Sequence, residues 1–426
     1  MDMKIASPAR AAYDPRYDPL VARNPGQGRE YAPTYWVATA GAPPQDDGPI
    51  AQDVDVDVAI VGSGFTGLAT ALFLAREHGI RATVLEANRA AWGCTSRNGG
   101  QGQNASGRLH RSQWIARFGR QTALALDAEL RRGFATFQSL VGEIDCDAQP
   151  GGHLYLAHRA KKMPFLENEA RVMREVFGYD AHILPADVVR RDYVGDAEVA
   201  GALHEPDGIG VHPLKLAFGY MAKARELGAT VHPASPVVDW QTRNGVHHLR
   251  TPGGVVRARA VAIATGGYTS NALHRSVALR LMPILSNSMV TRPLTQQEIA
   301  ATNFRTHEVI TDTRTLRFYY RLLPDNRVQI GSRSAVTGAD ASDPRQAIYY
   351  ALGYGGNGVS FSAQAGRRMA ERIAGKRSDA FELPIYDSPL RLPMVLDRFE
   401  SRMFSPFRRL GQRALYHWYY LRDEVL

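Results

Sequence analysis

Gly62, Ser63, Gly64, Phe65, Thr66 and Gly67 spell G-x-G-x-x-G, and Glu86 follows at close to the ~20-residue spacing of a ribose-binding acid. Glycines at these three places allow a tight turn, close approach of backbone to a pyrophosphate, and near contact of helix with strand. The acid suits the ribose hydroxyls of NAD or FAD and opposes the extra phosphate of NADP. A glycine turn that merely reverses the chain is the alternative reading. A second candidate is the pair Tyr319 and Arg321, which share one face if they lie on a strand. An aromatic wall with an arginine for a substrate carboxylate is the functional reading of that pair; ordinary sheet packing with a surface arginine is the other. His212, ahead of Pro213, reads as a structural residue at a helix start, and His247-His248 as an exposed strand pair. No cluster has metal-ligand spacing.

The loop needs a strand before it and a helix after it. Asp57–Val61, "DVAIV", is short, apolar and β-branched, as a buried parallel strand is. Leu68–Gly79 reads as a helix stopped by glycine, and 81–86, "RATVLE", as a second strand ending in the acid. Together they make one βαβ unit, so the dinucleotide reading prevails over the plain turn. Beyond Glu86 the chain enters "ANRAAWGCTSRNGGQ", small and polar residues where a nicotinamide domain would continue into another helix and strand.

At "TSRNGGQ" the sequence resembles the FAD-dependent D-amino-acid oxidase superfamily, and within it the gamma-glutamylputrescine oxidoreductase-like branch. Thr95 stands where that branch more often has a small residue. The resemblance implies an α/β fold: a Rossmann-like FAD-binding domain with a discontinuous second domain on a mainly antiparallel sheet. It extends the cofactor contacts to Ala87, Trp92, Gly93, Ser96, Arg97, Asn98, Gly99, Gly100 and Gln101. It adds Val237, whose backbone would lie against the adenine, and Ala264, Thr265 and Gly266 at the end of "AVAIATGG". Near the far end it adds Gly355, Gly356, Asn357, Gly358 and Val359, a glycine turn and helix start facing the flavin pyrimidine ring. There, helix N–H groups and the helix dipole would stabilise negative charge on the reduced ring.

The implied activity is oxidation of the C–N bond of an amine or amino acid by hydride transfer to flavin N5. The imine then hydrolyses, and oxygen or another acceptor reoxidises the flavin. Such chemistry belongs largely to the cofactor and requires no catalytic triad. An NAD-dependent dehydrogenase is one alternative, opposed by "TSRNGGQ" and "GYGGNG". A flavin-binding protein with impaired or no catalysis is another. Relatives carry a long segment between the strand resembling "NRVQIGSRS" and the terminal glycine turn, whereas here mainly "AVTGADASDPRQA" bridges Gly331 to Gly355. The segment lost, after Asp343, would cost the substrate sheet a strand and open the site.

At 426 residues the chain is long enough for two packed domains. Charge of 22% beside 44% hydrophobic residues is that of a folded globule rather than a disordered chain. The expected segments are an N-terminal arm to 54, with "YAPTYWVATA" docked on the globule; cofactor domain over 55–148, 206–272 and 347–376; substrate domain over 149–205 and 273–346; and a tail from 377. A net charge of +9 admits nucleic acid as a partner, but the arginines are scattered and no nucleic-acid motif occurs. The basic, aromatic tail is expected to pack on its own or a neighbouring subunit, in a homo-oligomer. No membrane-spanning run and no secretory leader are read, and two cysteines give no disulfide framework, which together suggest the cytoplasm.

Overall fold

The computed structural model describes residues 22–105, 109–278, 285–332, 348–349 and 358–386, with 414, 417–419 and 421–425. A short helix α1 (Tyr35–Thr39) precedes β1 (Val54–Val61). Burial changes along β1: alternate residues are exposed as far as Asp57, and all four from Val58 to Val61 are covered. The apolar end is thus enclosed on both faces, and it is this end that leads into the glycine loop. Helix α2 (Phe65–His78) follows, stops on Gly79 at φ +66°, and returns the chain to β2 (Ala82–Leu85), parallel to β1.

The middle of the chain holds β3 (Gln101–Gln103), α3 (Arg111–Phe118), α4 (Arg120–Glu143), β4 (Gln149–Pro150), β5 (His153–Ala157), α5 (Met163–Phe177), β6 (His182–Pro185), α6 (Ala186–Asp192), β7 (Gly201–Glu205), β8 (Gly208–Gly210), α7 (Pro213–Glu226) and β9 (Thr230–His232). The last part holds β10 (Asp239–Arg243), β11 (Val246–Thr251), β12 (Gly254–Ile263), β13 (Leu285–Val290), α8 (Gln296–Thr302), β14 (Val309–Asp312), β15 (Phe318–Leu322), β16 (Val328–Ser332), β17 (Ile348–Tyr349) and α9 (Gly358–Ile373).

Among the described residues these strands form three sheets. The first runs β10-β11-β12-β1-β2-β9, parallel from β12 to β9 with the β10–β11–β12 meander at its edge. The second runs β17-β13-β16-β15-β14-β5-β7-β6 and is antiparallel except where β14 meets β5. A small sheet, β3-β8-β4, joins them. The architecture is therefore mixed α/β, with a Rossmann-like parallel unit beside a mainly antiparallel sheet. The chain passes between the two large sheets more than once, because the first takes strands from 54–85 and 230–263 and the second from 153–205 and 285–349.

Helix packing joins distant segments. Gly366 of α9 sits so close to α2 that an added Cβ would stand 2.7 Å from Ala69 Cβ and 2.8 Å from Thr70 N. Glu129 of α4, fully buried, accepts from Gln364 Nε2, Arg368 Nε and the Tyr386 hydroxyl at 2.7–2.8 Å. Helices α3, α4, α6 and α8 have no counterpart in the sequence reading. The shortened stretch between Gly331 and Gly355 falls largely outside the described residues.

Candidate active site

The first glycine cradle is built by contacts no side chain could share. Gly62 has φ +104°, and a Cβ there would stand 2.6 Å from Ala264 O. A Cβ on Gly67 would run into Gly62 O. Gly64 differs: its nearest neighbour would be Thr95 Oγ1 at 3.2 Å, so the space before it is open to a ligand. Gly64 is also the N-cap of α2, whose first turn carries no acid, leaving the positive end of the helix for an anion. Ser63, Phe65 and Thr66 complete this turn; Phe65 N donates to Thr95 Oγ1 at 3.2 Å.

Glu86 closes the far side. Its Oε2 accepts from Ser63 N at 3.0 Å and Ser63 Oγ at 2.7 Å, and its Oε1 from Asn88 N at 3.0 Å. A carboxylate has about four acceptor sites, so with three taken capacity remains for one ribose hydroxyl. The segment after β9 runs alongside: Ser235 N donates to Glu86 O at 2.7 Å and Ala234 N to Asn88 O at 2.9 Å. Val237 follows, buried, so Glu86, Ala87 and Val237 share one end of the cradle. At the other, Ala264 N donates to Val61 O, Thr265 Oγ1 bonds Thr269 Oγ1 at 2.6 Å, and Gly266 turns at φ +55°.

From Trp92 the chain folds into a compact loop fastened on itself. Ser96 Oγ donates to Trp92 O, Asn98 Nδ2 to Thr95 O, and Gly100 N to Asn98 Oδ1 at 2.8 Å. Arg97, 1% exposed, stacks on the Trp92 ring at 4.4 Å and donates to Trp92 O at 2.9 Å. Gly93 lies against Tyr268, and Gln101 begins β3. The N-terminal arm lies across this loop. Tyr31 donates to Ala90 O at 2.5 Å, Trp92 Nε1 to Glu30 O at 2.8 Å, Thr34 Oγ1 to Ser96 O at 3.0 Å and Trp36 Nε1 to Asn98 O at 2.7 Å.

The second sheet presents one face to the same loop. Tyr319 lies opposite Gly331 and Arg321 opposite Gln329 on β15 and β16. Tyr319 and Arg321 do share a face, and both are buried. The Tyr319 ring packs on Gly99, where a Cβ would stand 2.7 Å from its Cε2. Arg321 corrects the expectation of a guanidinium offered to a substrate carboxylate. It is 1% exposed and donates to Gly99 O at 3.2 Å, Gln149 Oε1 at 2.6 Å and Val211 O at 2.6 Å. Its three nitrogens are each engaged, and burial draws its pKa down to about 10. The side chain braces the Gly99–Gly100 turn. His212 caps α7 by accepting from Lys215 N and stands edge-on to Trp36 at 5.0 Å, a structural placement.

Sequence reasoning missed Trp36, Gln149 and Gln329 as members of this assembly. Their partners lie 62, 172 and 41 positions away, so no local spacing announces them. Gly358 and Val359 open α9, and Ser360 Oγ donates to Gln103 O at 2.8 Å, which brings that helix start beside β3. Gly355, Gly356 and Asn357 lie outside the described residues. Among the described residues no group of His, Cys, Asp or Glu could hold a metal ion.

A cradle of close-packed glycines, an open helix N-terminus and an acid with a spare acceptor site fit a flavin dinucleotide. Comparison with known proteins agrees. Residues 57–348 match the family described as FAD dependent oxidoreductase (DAO). Gamma-glutamylputrescine oxidoreductase of Escherichia coli (strain K12) is 30% identical over 421 aligned positions, covering 86% of this chain and 96% of that protein. Among solved structures, L-proline dehydrogenase from P. horikoshii aligns with TM-score 0.61 at 16% identity, over 82% of this chain and 99% of that one. Glycine oxidase from Geobacillus kaustophilus gives TM-score 0.58 at 20% identity, over 76% and 96%. The structures attest the fold, and the family match sets the cofactor: this chain belongs to the DAO family of FAD-dependent oxidoreductases.

Proposed function

We propose that the chain oxidises the C–N bond of a small-molecule amine or amino acid, passing the electrons to oxygen or another acceptor. The observation that carries this reading is the seat of Gly99. This residue lies between the cofactor loop and a buried face of the second sheet that carries Tyr319, Gln329 and Ser286. A substrate held against that face would meet the cofactor. When bound, FAD supplies the hydride acceptor. Gly62–Gly67 and the start of α2 would hold the pyrophosphate, and Glu86 the ribose. Val237 would lie on the adenine, and 92–101, 264–266 and 358–359 would line the remainder. Burial of the Tyr319 face keeps water from the reacting carbon. The relative's name, gamma-glutamylputrescine oxidoreductase, makes a glutamylated diamine the first substrate to try. The test is an absorbance spectrum of the purified protein followed by anaerobic mixing with amines and amino acids. A flavin band bleached by at least one of them is expected; a protein that cannot be loaded with FAD ends the proposal.

Impaired turnover is a second reading with its own observation. The alignment with the Escherichia coli protein spans 421 positions yet uses 86% of a 426-residue chain, so that relative carries residues without counterparts here. A shorter bridge from Gly331 to Gly355 would leave the site more open to water and weaken electrostatic stabilisation there. Inserting the relative's segment between Pro344 and Ala347 should then raise the rate of flavin reduction. An unmodified chain that already matches the chimera would dismiss this reading.

A further inference from the structure

Gln329 is fully buried on β16, between Arg321 on one neighbouring strand and Val290 on the other. Its Nε2 donates to Ser288 Oγ at 2.7 Å. Its Oε1 has no hydrogen-bond partner. That carbonyl points to the cofactor loop, since a Cβ on Gly99 would stand 3.3 Å from it, beside the Tyr319 ring. The neighbouring hydroxyl of Ser286 is spent on Ser332 O at 2.9 Å. Buried amide carbonyls are seldom left without a donor, because the desolvation cost is not recovered. An acceptor in this position favours a ligand that brings an N–H or O–H donor and would leave a carboxylate unsatisfied.

Resting on the proposed amine oxidation, we propose that Gln329 Oε1 receives an N–H group of the ligands bound at Gly99, supplied by the substrate amine or by the flavin imide. The carbonyl then fixes the orientation of that ligand against Tyr319. Gln329 is a positioning and specificity residue, since it moves no proton and forms no bond.

The test compares FAD-loaded wild type with Gln329→Leu, using butylamine and butyltrimethylammonium, which has no N–H in any protonation state. Amine binding is read from the flavin absorbance change under anaerobic conditions, and FAD affinity by equilibrium dialysis. If the amine is the donor, the variant should bind butylamine roughly five- to tenfold more weakly, with the quaternary ion and FAD unchanged. If the flavin imide is the donor, FAD affinity should fall by a similar factor and both amines should keep theirs. Unchanged affinity for all three overturns the inference, as does equal weakening of both amines with FAD unaffected. Should Gln329→Leu fail to fold, Gln329→Asn withdraws the carbonyl by one methylene and gives the same reading. A wild type that takes up FAD and is bleached by amines, with Gln329→Leu indistinguishable, removes this inference and leaves the proposed function standing.

Discussion

Two glycines of the cradle separate binding from folding. A Cβ on Gly67 meets the backbone oxygen of Gly62, which cannot move without disturbing β1, whereas one on Gly64 meets only the Thr95 hydroxyl. Gly64→Asp should therefore fold with its thermal midpoint little changed and yet bind no FAD, because its carboxylate faces the pyrophosphate. Gly67→Ala should lose FAD and stability together, and calorimetry alongside the flavin spectrum distinguishes the two. Glu86→Arg should weaken FAD binding strongly, since it exchanges an acceptor for a charge that Ser63 N cannot satisfy. Arg321 gives a different prediction. Arg321→Ala should strand the three acceptors around Gly99 and lower stability by roughly 3 kcal/mol, affecting carboxylated and plain amines alike. A rise in KM limited to carboxylated amines would instead return Arg321 to the substrate. The cradle was legible in the sequence because its spacing is local and each glycine answers one steric demand. The bracing role of Arg321 was not, because a strand pattern says which face a side chain takes but not which backbone oxygens wait there.

Among the elements, the N-terminal arm does more than its irregular sequence announces. Four hydrogen bonds, donated by Tyr31, Thr34 and Trp36 and accepted by the Glu30 carbonyl, fasten it to the loop from Ala90 to Asn98. Trp36 also stands between His212 and Arg321, 5.6 Å from the guanidinium carbon. The arm thus holds the loop that proposes itself for the flavin. Trp36→Ala should cost roughly 3–5 kcal/mol of stability and speed FAD release. Stopped-flow flavin fluorescence measures the release, and an unchanged rate would confine the arm to packing. The docked "YAPTYWVATA" was readable from its aromatic content, though not its target. The βαβ unit was readable from short apolar runs around the glycine loop, and Asn326, at φ +63°, makes the turn between β15 and β16. Helix α4 escaped because Asp127 and Glu129, acids on its buried side, interrupt the apolar stripe. Arg131 meets Asp127 from one turn along α4, but Arg111 and Arg368 satisfy the two acids from other elements, and those partners are invisible in a local window.

For the whole molecule the chief question is how buried titrating groups set the response to acid. Burial holds His110 and His212 down to about 4, below the ordinary 6.5, so both stay neutral in the folded chain. Unfolding frees them to bind protons wherever the pH lies between those values, so the unfolded state carries the extra protons and stability falls as pH drops from 6.5 towards 4. Other groups oppose this. Burial raises Glu169 and Asp312, and the hydrogen bond to Glu308 raises His204, so each favours the folded state as acid is added. Glu129 joins the loss at the acid end of this window. Burial raises it, but Arg368, Gln364, Tyr386 and Arg132 bring it down to about 2, so its contribution begins to fall below about pH 5 and is lost only near pH 2. The net slope is a difference of opposing terms, and a substitution is the way to isolate one. His212→Asn keeps a cap acceptor for Lys215 N and removes the titrating ring. Its denaturation midpoint should fall less steeply than that of wild type between pH 6.5 and 4, the gap at pH 4 amounting to roughly 3 kcal/mol at most. Because the folded chain keeps His212 neutral down to about 4, this group should leave FAD affinity flat through the same window. Parallel profiles for the two proteins would show that His212 titrates alike in both states and is not held neutral by the fold.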